Sequence, residues 1–377
     1  MTTSSSAHRP VPITDLGLEY DAIKAELVPL LQKILRSGSY VLGPEVGQFE
    51  KELAAYLGVK HAVGVNSGTD AILIALRALD VGAGDEVILP AMSFFATVEP
   101  IILLGARPVF VDIDPVSYAI DPVAAAARIT SRTKAIMAVH LYGLPADLPA
   151  LSTLAAKHHI PLVEDMAQAI GAACGSKKAG AWGEMACLSF YPTKNLGACG
   201  DAGAVLTSSD TLAERVKSLR NHGAKVKYHH EEVAYNSRLD EIQAAVLRLK
   251  LRRLEAWNEK RRTLAHEYTA RLQGLPVTLP IEVPERHHVF HLYSIATERR
   301  DELKAVLQKQ GISTGLHYPI PLHLLPALKT LAHREGDFPV SEKLARQTIS
   351  LPLYPFMSVQ DVRDVADAVR QFFQKHA

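Results

Sequence analysis

The chain has 377 residues, 48% of them apolar, which suits one large and one smaller packed domain and excludes an extended disordered protein. Its 41 basic and 40 acidic side chains leave a formal charge of +1, so no uniform field draws it to nucleic acid or to a membrane surface. Cys174, Cys187 and Cys199 form neither a disulfide framework nor a zinc set.

The first ten residues, MTTSSSAHRP, read as a tail without the apolar centre of a signal peptide. No apolar run is of membrane-spanning length, and the expected compartment is the cytoplasm. Apolar spacing predicts helices over Tyr20–Leu35, stopped by Ser37-Gly38, and over Val46–Leu57. His61–Val65 reads as a strand, Asn66 to Asp70 as a turn, and Ala71–Leu79 as a helix. A strand, a Gly turn and a helix N-terminus together make an anion cradle, although a Gly-Thr pair is also an ordinary cap. Glu86–Leu89, Pro108–Val111, Lys134–Val139 and the run from His159 to Val163 are strand-like. Ser93–Leu104 and Asp147–His158 are helical. This alternation implies a mostly parallel sheet with helices on both faces. The dinucleotide fingerprint GxGxxG is missing.

Two more strand-like runs, Ala186–Ser189 and Ala202–Leu206, bracket YPTKNLGACG, which puts Lys194 at a strand edge. Such a lysine is either a solvated surface group or, with a depressed pKa, a Schiff-base nucleophile. About thirty residues upstream, Asp165 ends a predicted parallel strand, as a helix cap or where open α/β sheets place their chemistry. Residues 221–232 read as a polar loop, with His229 and His230 either facing a substrate or merely solvated. Asp240–Tyr268 reads as one long helix bridging two domains. His291–Thr297, Arg300–Gln310 and Phe356–His376 read as a strand and two helices of the smaller domain. The expected division is a tail over 1–10, a large domain over 11–255 and a small one over 256–377.

Seven ordered stretches resemble one family: VNSGTDAILIAL (65–76), PAMSFFATVEPIILLGARPVFVDID (90–114), VEDMAQAIGA (163–172), LSFYPTKNLGACGDAGAV (188–205), YNSRLDEIQAAVLRLKL (235–251), HLYSI (291–295) and GISTGLHYPIPLH (311–323). They are similar to the DegT/DnrJ/EryC1/StrS sugar aminotransferases, and most to those acting on nucleotide-linked 3-keto-6-deoxyhexoses. The resemblance implies fold type I of the pyridoxal phosphate (PLP) enzymes, an aspartate aminotransferase-like α/β architecture. The implied cofactor is PLP, cycling through pyridoxamine phosphate, and no metal is implied. The implied assembly is a homodimer with shared active sites.

On that resemblance Lys194 carries the cofactor and moves the substrate proton, and Asp165 pairs with the pyridine nitrogen. Phe94 stacks on the ring, leaving Phe95 to the core, and Gln168 meets the ring's phenolic oxygen or edge. Gly68, Thr69 and Ser189 hold the phosphate. Asn236 reaches a partner's phosphate, while Arg238 approaches substrate from the partner side or pairs internally with Asp240 or Glu241. His317 and Tyr318 face the sugar nucleotide, unless their Pro-rich turn only packs domains; His323 is a weaker candidate. The family's usual Gly before the Tyr-Asn pair is Ala234 here. The implied reaction moves an amino group from L-glutamate to a dTDP-3-keto-6-deoxyhexose. Alternatives are a 4-keto sugar, a UDP-3-keto-2-acetamido sugar, or a PLP-bound regulator without turnover.

Overall fold

The computed structural model describes residues 10–226 and 228–375, so the expected tail, Pro10 apart, lies outside the described residues. Helix α1 (Leu16–Ser37) starts at Asp15, whose carboxylate accepts from the Gly17 and Leu18 N–H groups, and ends at left-handed Gly38. Helix α2 (Pro44–Leu57) follows, with Phe49 and Leu53 fully buried. The large sheet is then laid down: β1 (His61–Val65), α3 (Gly68–Ala78), β2 (Glu86–Pro90), α4 (Glu99–Leu103), β3 (Arg107–Val111), α5 (Pro122–Ala126), β4 (Thr133–Val139), α6 (Leu148–His158) and β5 (Leu162–Asp165). Short strands β6 (Ala173–Cys174) and β7 (Lys177–Lys178) precede β8 (Met185–Ser189) and β9 (Gly203–Thr207). The order across the sheet is β1-β9-β8-β5-β4-β2-β3, and β9 alone runs against the others. Strands buried on both faces explain the near-continuous apolar runs of the sequence.

Helix α7 (Asp210–Leu219) leads to a ribbon of β10 (Ala224–Val226) and β11 (His229–His230), where a plain loop was expected. The long helix expected over 240–268 is two helices, α8 (Glu241–Leu251) and α9 (Leu254–Leu272). No Gly or Pro marks the break; tertiary packing makes it. Val246 and Leu249 of α8 meet Ile23 and Leu27 of α1, whereas Leu264, Ala265 and Tyr268 of α9 join a separate core with Phe290, Tyr293 and Val365. The break lets the two apolar stripes face different cores. The helix expected over 93–104 is also broken: Phe94 is extended, Phe95–Thr97 is a single 3₁₀ turn, and α4 begins at Glu99. Pro100, at the second position of α4, suits a helix start.

Strand β12 (Arg286–His287) pairs with β6, and β13 (Tyr293–Ala296) enters the second core. The chain continues through α10 (Arg300–Lys309), α11 (Pro339–Gln347), β14 (Thr348–Leu351), antiparallel to β13, and α12 (Val359–Gln374); β14, α10 and α12 pack into the second core, whereas Leu344 and Ala345 of α11 join a smaller cluster with Tyr142. Val11 joins this core through a bridge to Ile312. Among the described residues no helix is long and apolar enough to cross a membrane.

Candidate active site

The carboxyl ends of β1, β4, β5 and β8 open onto one cavity of about 500 Å³. Gly68, Thr69, Phe94, Asp165, Gln168, Ser189, Lys194, His317 and Tyr318 all lie on its wall, as the sequence led one to expect; Asn236 and Arg238 do not.

Lys194 leaves β8 on a turn closed by its N–H to the Tyr191 carbonyl at 2.8 Å. Helix α8 props the following loop: Lys250 Nζ donates to the Gly197 carbonyl at 2.6 Å, and Gln243 Oε1 accepts from the Cys199 N–H at 2.8 Å. The Lys194 amine has no hydrogen-bond or ion-pair partner among the described residues. Desolvation lowers its pKa from 10.5 to about 8, against an opposing pull from Asp165. The ammonium still predominates at pH 7, but about a tenth of the groups are free amine there, far more than for an ordinary lysine, as a nucleophile requires.

Asp165 is the last residue of β5 and is 5% exposed. Its Oδ2 accepts from Thr97 Oγ1 at 2.8 Å and its Oδ1 from the Ala167 N–H at 3.1 Å. Because the Thr97 hydrogen goes to Asp165, Ser93 donates to Thr97, at 2.7 Å. These donors fix the carboxylate, yet no protein cation pairs with it among the described residues. A buried, oriented anion without a counter-ion suits a cationic ring nitrogen. The neighbouring Glu164 points to the opposite face, as strand alternation demands. There it accepts from the backbone N–H of Gly180, Trp182 and Gly183 and from His140 Nε2, itself oriented by the Ala146 N–H on Nδ1.

The N-terminus of α3 forms the cradle. Ser67 caps it by accepting from the Asp70 N–H at 3.1 Å, while the Gly68 and Thr69 N–H groups take no partner among the described residues and line the cavity. Close approach is what the glycines supply. A Cβ on Gly68 would lie 2.5 Å from Ser189 Cβ, and one on Gly203 would lie 2.2 Å from the Ser67 carbonyl oxygen. Two free N–H groups, the helix dipole and the Ser189 hydroxyl converge where a phosphate fits. With Lys194 and Asp165 deeper in the same cavity, these residues suit PLP.

On the opposite wall Gln168 Oε1 accepts from the Tyr142 N–H at 2.7 Å and its Nε2 donates to the Tyr318 hydroxyl at 3.0 Å, leaving one amide hydrogen. Tyr142 reaches that position with φ of 60°, and its hydroxyl donates to the His317 carbonyl. Phe94 is 54% exposed, with its ring 5.4 Å from that of Tyr318; Phe95 packs on the core. Burial, then the Lys194 charge, lowers the His317 pKa to about 4, and its Nδ1 lies 2.8 Å from Ser350 Oγ. His323 is buried against Glu342, away from the cavity.

Asn236 is exposed, and Arg238 donates to Asn221 Oδ1 at 3.0 Å rather than pairing with Asp240 or Glu241. Glu241 instead accepts from the Glu45 and Val46 N–H groups at the start of α2. Between them, Ser237 Oγ donates to Asp70 at 2.6 Å and accepts from the Asn66 N–H at 3.1 Å, tying this segment to the back of the cradle. Ser93, Thr97, Tyr142 and Glu164 were not anticipated. The adjacent Glu164-Asp165 pair at a strand end was the one usable signal.

The profile of the DegT/DnrJ/EryC1/StrS aminotransferase family matches residues 21–370. The chain is 47% identical, over 99% of both chains, to a dTDP-3-amino-3,4,6-trideoxy-α-D-glucose transaminase of Streptomyces venezuelae. It is 46% identical, over 97% of itself and 100% of the relative, to a pleiotropic regulatory protein of Geobacillus stearothermophilus. It is 44% identical, over 96% and 97%, to a UDP-N-acetyl-3-dehydro-α-D-glucosamine 3-aminotransferase of Acidithiobacillus ferrooxidans. The crystal structure of S. venezuelae DesV in complex with a ketimine intermediate superposes with a TM-score of 0.95 at 47% identity, covering 96% of this chain and 98% of that one. Fold, cavity and kinship agree: this chain belongs to the DegT/DnrJ/EryC1/StrS family and is a PLP-dependent aminotransferase of fold type I.

Proposed function

We propose that the enzyme moves an amino group from L-glutamate to a nucleotide-linked 3-keto-6-deoxyhexose, with a dTDP sugar as the nucleotide form, giving the 3-amino sugar. One observation carries the reading of the site. Among the described residues, a partnerless lysine amine, a buried carboxylate without a counter-ion and two free helix N–H groups share one cavity. The sugar assignment draws on the S. venezuelae relative, named a dTDP-3-amino-3,4,6-trideoxy-α-D-glucose transaminase; the A. ferrooxidans relative, nearly as similar, is named a 3-aminotransferase of a UDP sugar. Both names carry the amino group at position 3, and a UDP-linked substrate is the alternative.

When bound, the cofactor supplies an electron sink that stabilises charge at the substrate carbon. Gly68, Thr69 and Ser189 would hold its phosphate, and Asp165, kept in place by Thr97 and Ala167, would keep its ring nitrogen protonated. Phe94 would lie against the ring. Lys194 would be the amine that carries the cofactor and that moves a proton to and from the substrate carbon. His317 and Tyr318 contact the sugar nucleotide.

A second copy of this chain completes the site in this reading. Asn236 and Arg238 stay outside their own cavity, while Phe94 and Tyr191 stand 54% exposed at its mouth, where a partner would cover them. Mixed dimers carrying Lys194→Ala in one chain and Asn236→Ala in the other are expected to recover one working site. No recovery under subunit exchange would refute sharing.

The substrate test incubates the pure enzyme with PLP, L-glutamate and a panel of 3-keto and 4-keto sugar nucleotides carrying dTDP or UDP. A 3-amino product from the dTDP-3-keto sugar is expected. No product from any 3-keto substrate would remove the assignment, and a cofactor spectrum that ignores glutamate would revive the regulatory reading.

A further inference from the structure

Two serines behind the cavity wall have no part in the chemistry above. Ser294 of β13 and Ser350 of β14 stand directly opposite each other across the antiparallel pair, both buried. Strand alternation turns their neighbours Tyr293, Ile295, Ile349 and Leu351 into the second core. It leaves the two hydroxyls on the other face, 2.7 Å apart. There Ser350 Oγ also meets His317 Nδ1 at 2.8 Å. The backbone brings the ring to this hydroxyl. Gly315 and Ser350 exchange N–H to carbonyl bonds at 3.0 and 2.8 Å, and a Cβ on Gly315 would lie 2.3 Å from His317 Cε1. Only glycine at that position leaves room for the imidazole.

The supply of hydrogens fixes the direction of these bonds. Burial and the Lys194 charge lower the His317 pKa to about 4, so near neutral pH the ring is neutral and carries one hydrogen. With that hydrogen on Nδ1, Ser350 would accept it and donate to Ser294. The Ser294 hydroxyl would then have no acceptor among the described residues. In the other direction Ser294 donates to Ser350 and Ser350 donates to Nδ1. Every hydrogen is then used and no buried donor is stranded. The ring hydrogen therefore sits on Nε2. That nitrogen has no partner among the described residues, and it is not sealed in the protein but belongs to a ring that lines the cavity.

We propose that Ser350, backed by Ser294, is a positioning residue for His317: it holds the imidazole in the tautomer whose Nε2–H faces the cavity, so that the ring donates to an oxygen of the sugar nucleotide. The proposal rests on the reading that His317 contacts that substrate. Keto, hydroxyl and phosphate oxygens all accept a hydrogen, so a fixed donor suits whichever of them arrives. A ring free to change tautomer would present a lone pair part of the time, and a lone pair repels an acceptor oxygen. Holding the donor ready removes that ordering cost from binding.

The first measurement is nitrogen NMR of the substrate-free holoenzyme labelled with ¹⁵N-histidine, with the His317 signals identified by their loss in His317→Gln. A protonated Nε2 and an unprotonated Nδ1 are expected near neutral pH, and a hydrogen on Nδ1 would overturn the proposal. In Ser350→Ala the ring is expected to pass to a mixture of the two tautomers; an unchanged ratio would equally overturn it. The second measurement separates positioning from general damage by following the two half-reactions apart. The pyridoxamine phosphate form is mixed with a dTDP-3-keto-6-deoxyhexose, and the PLP form with L-glutamate. Ser350→Ala is expected to raise the apparent Kd of the sugar nucleotide about tenfold, the effect of one oriented hydrogen bond, with a smaller change for L-glutamate. Ser350→Thr, which keeps the hydroxyl, is expected to recover the wild-type value. Equal losses with both substrates, or no loss with the sugar, would refute the positioning role. Should Ser350→Ala fail to fold, the wild-type spectrum still decides between the two tautomers. A wrong sugar assignment shows itself differently: the wild type then gives no half-reaction with the dTDP sugar, while the spectrum, which needs no sugar, is unaffected.

Discussion

Replacing Lys194 with Met should stabilise the cofactor-free protein while ending its chemistry. Met keeps the length of the side chain and removes the charge. In the folded chain the Lys194 ammonium is desolvated, and its pKa falls from 10.5 to about 8. At about 1.4 kcal/mol per tenfold change, this penalty is about 3 kcal/mol at neutral pH. That figure is a ceiling, because the half-buried amine still faces an open cavity where solvent screens it. The sign follows from the direction of the shift. Below about pH 8 the amine is protonated in both folded and unfolded chains, and the penalty is present in full. Between about 8 and 10.5 the folded state sheds its proton first and the penalty disappears. Urea denaturation of both proteins along a pH series reads this directly. Lys194→Met is expected to be more stable at neutral pH by up to about 3 kcal/mol, with the gap closing as the medium turns alkaline. Equal stability at neutral pH, or a gap that persists above the unfolded pKa, would refute desolvation of this amine.

Gly68→Ala puts a Cβ 2.5 Å from Ser189 Cβ, so α3 and β8 must part. Overpacking of about 1–3 kcal/mol should weaken retention of pyridoxal phosphate up to about a hundredfold in a spectroscopic titration, and an unchanged Kd would count against the cradle. Asp165→Asn removes the one neighbour that raises the Lys194 pKa, so Lys194 should titrate still lower than about 8. Turnover should fall by about 10²-fold or more in a glutamate half-reaction assay, and a Lys194 that titrates higher would contradict the electrostatic influence of Asp165 on the amine.

The parts of the fold legible in the sequence were those with local causes. β1 was bounded correctly because its apolar run is followed at once by a turn and the Ser67 cap. Gly68, Asp165 and Lys194 stood out with such elements, whereas Ser189 was singled out by the family resemblance. What stayed hidden depends on contacts between distant positions. The α8–α9 break answers to two cores rather than to a local signal, and the extended Phe94 answers to its place over the cavity. Gln168 is held by a backbone N–H from Tyr142, and His291 by Asn195, which is 96 positions away. Periodicity reports which face is buried; it is silent on which polar atoms meet.

The most direct measurement adds pyridoxal phosphate to the pure protein, reduces it with borohydride and maps the adduct by peptide mass spectrometry. A single modified lysine, Lys194, with no trapping in Lys194→Met, is expected. An adduct on another lysine, or a colourless and unreactive protein, would contradict the central claim that this amine carries the cofactor.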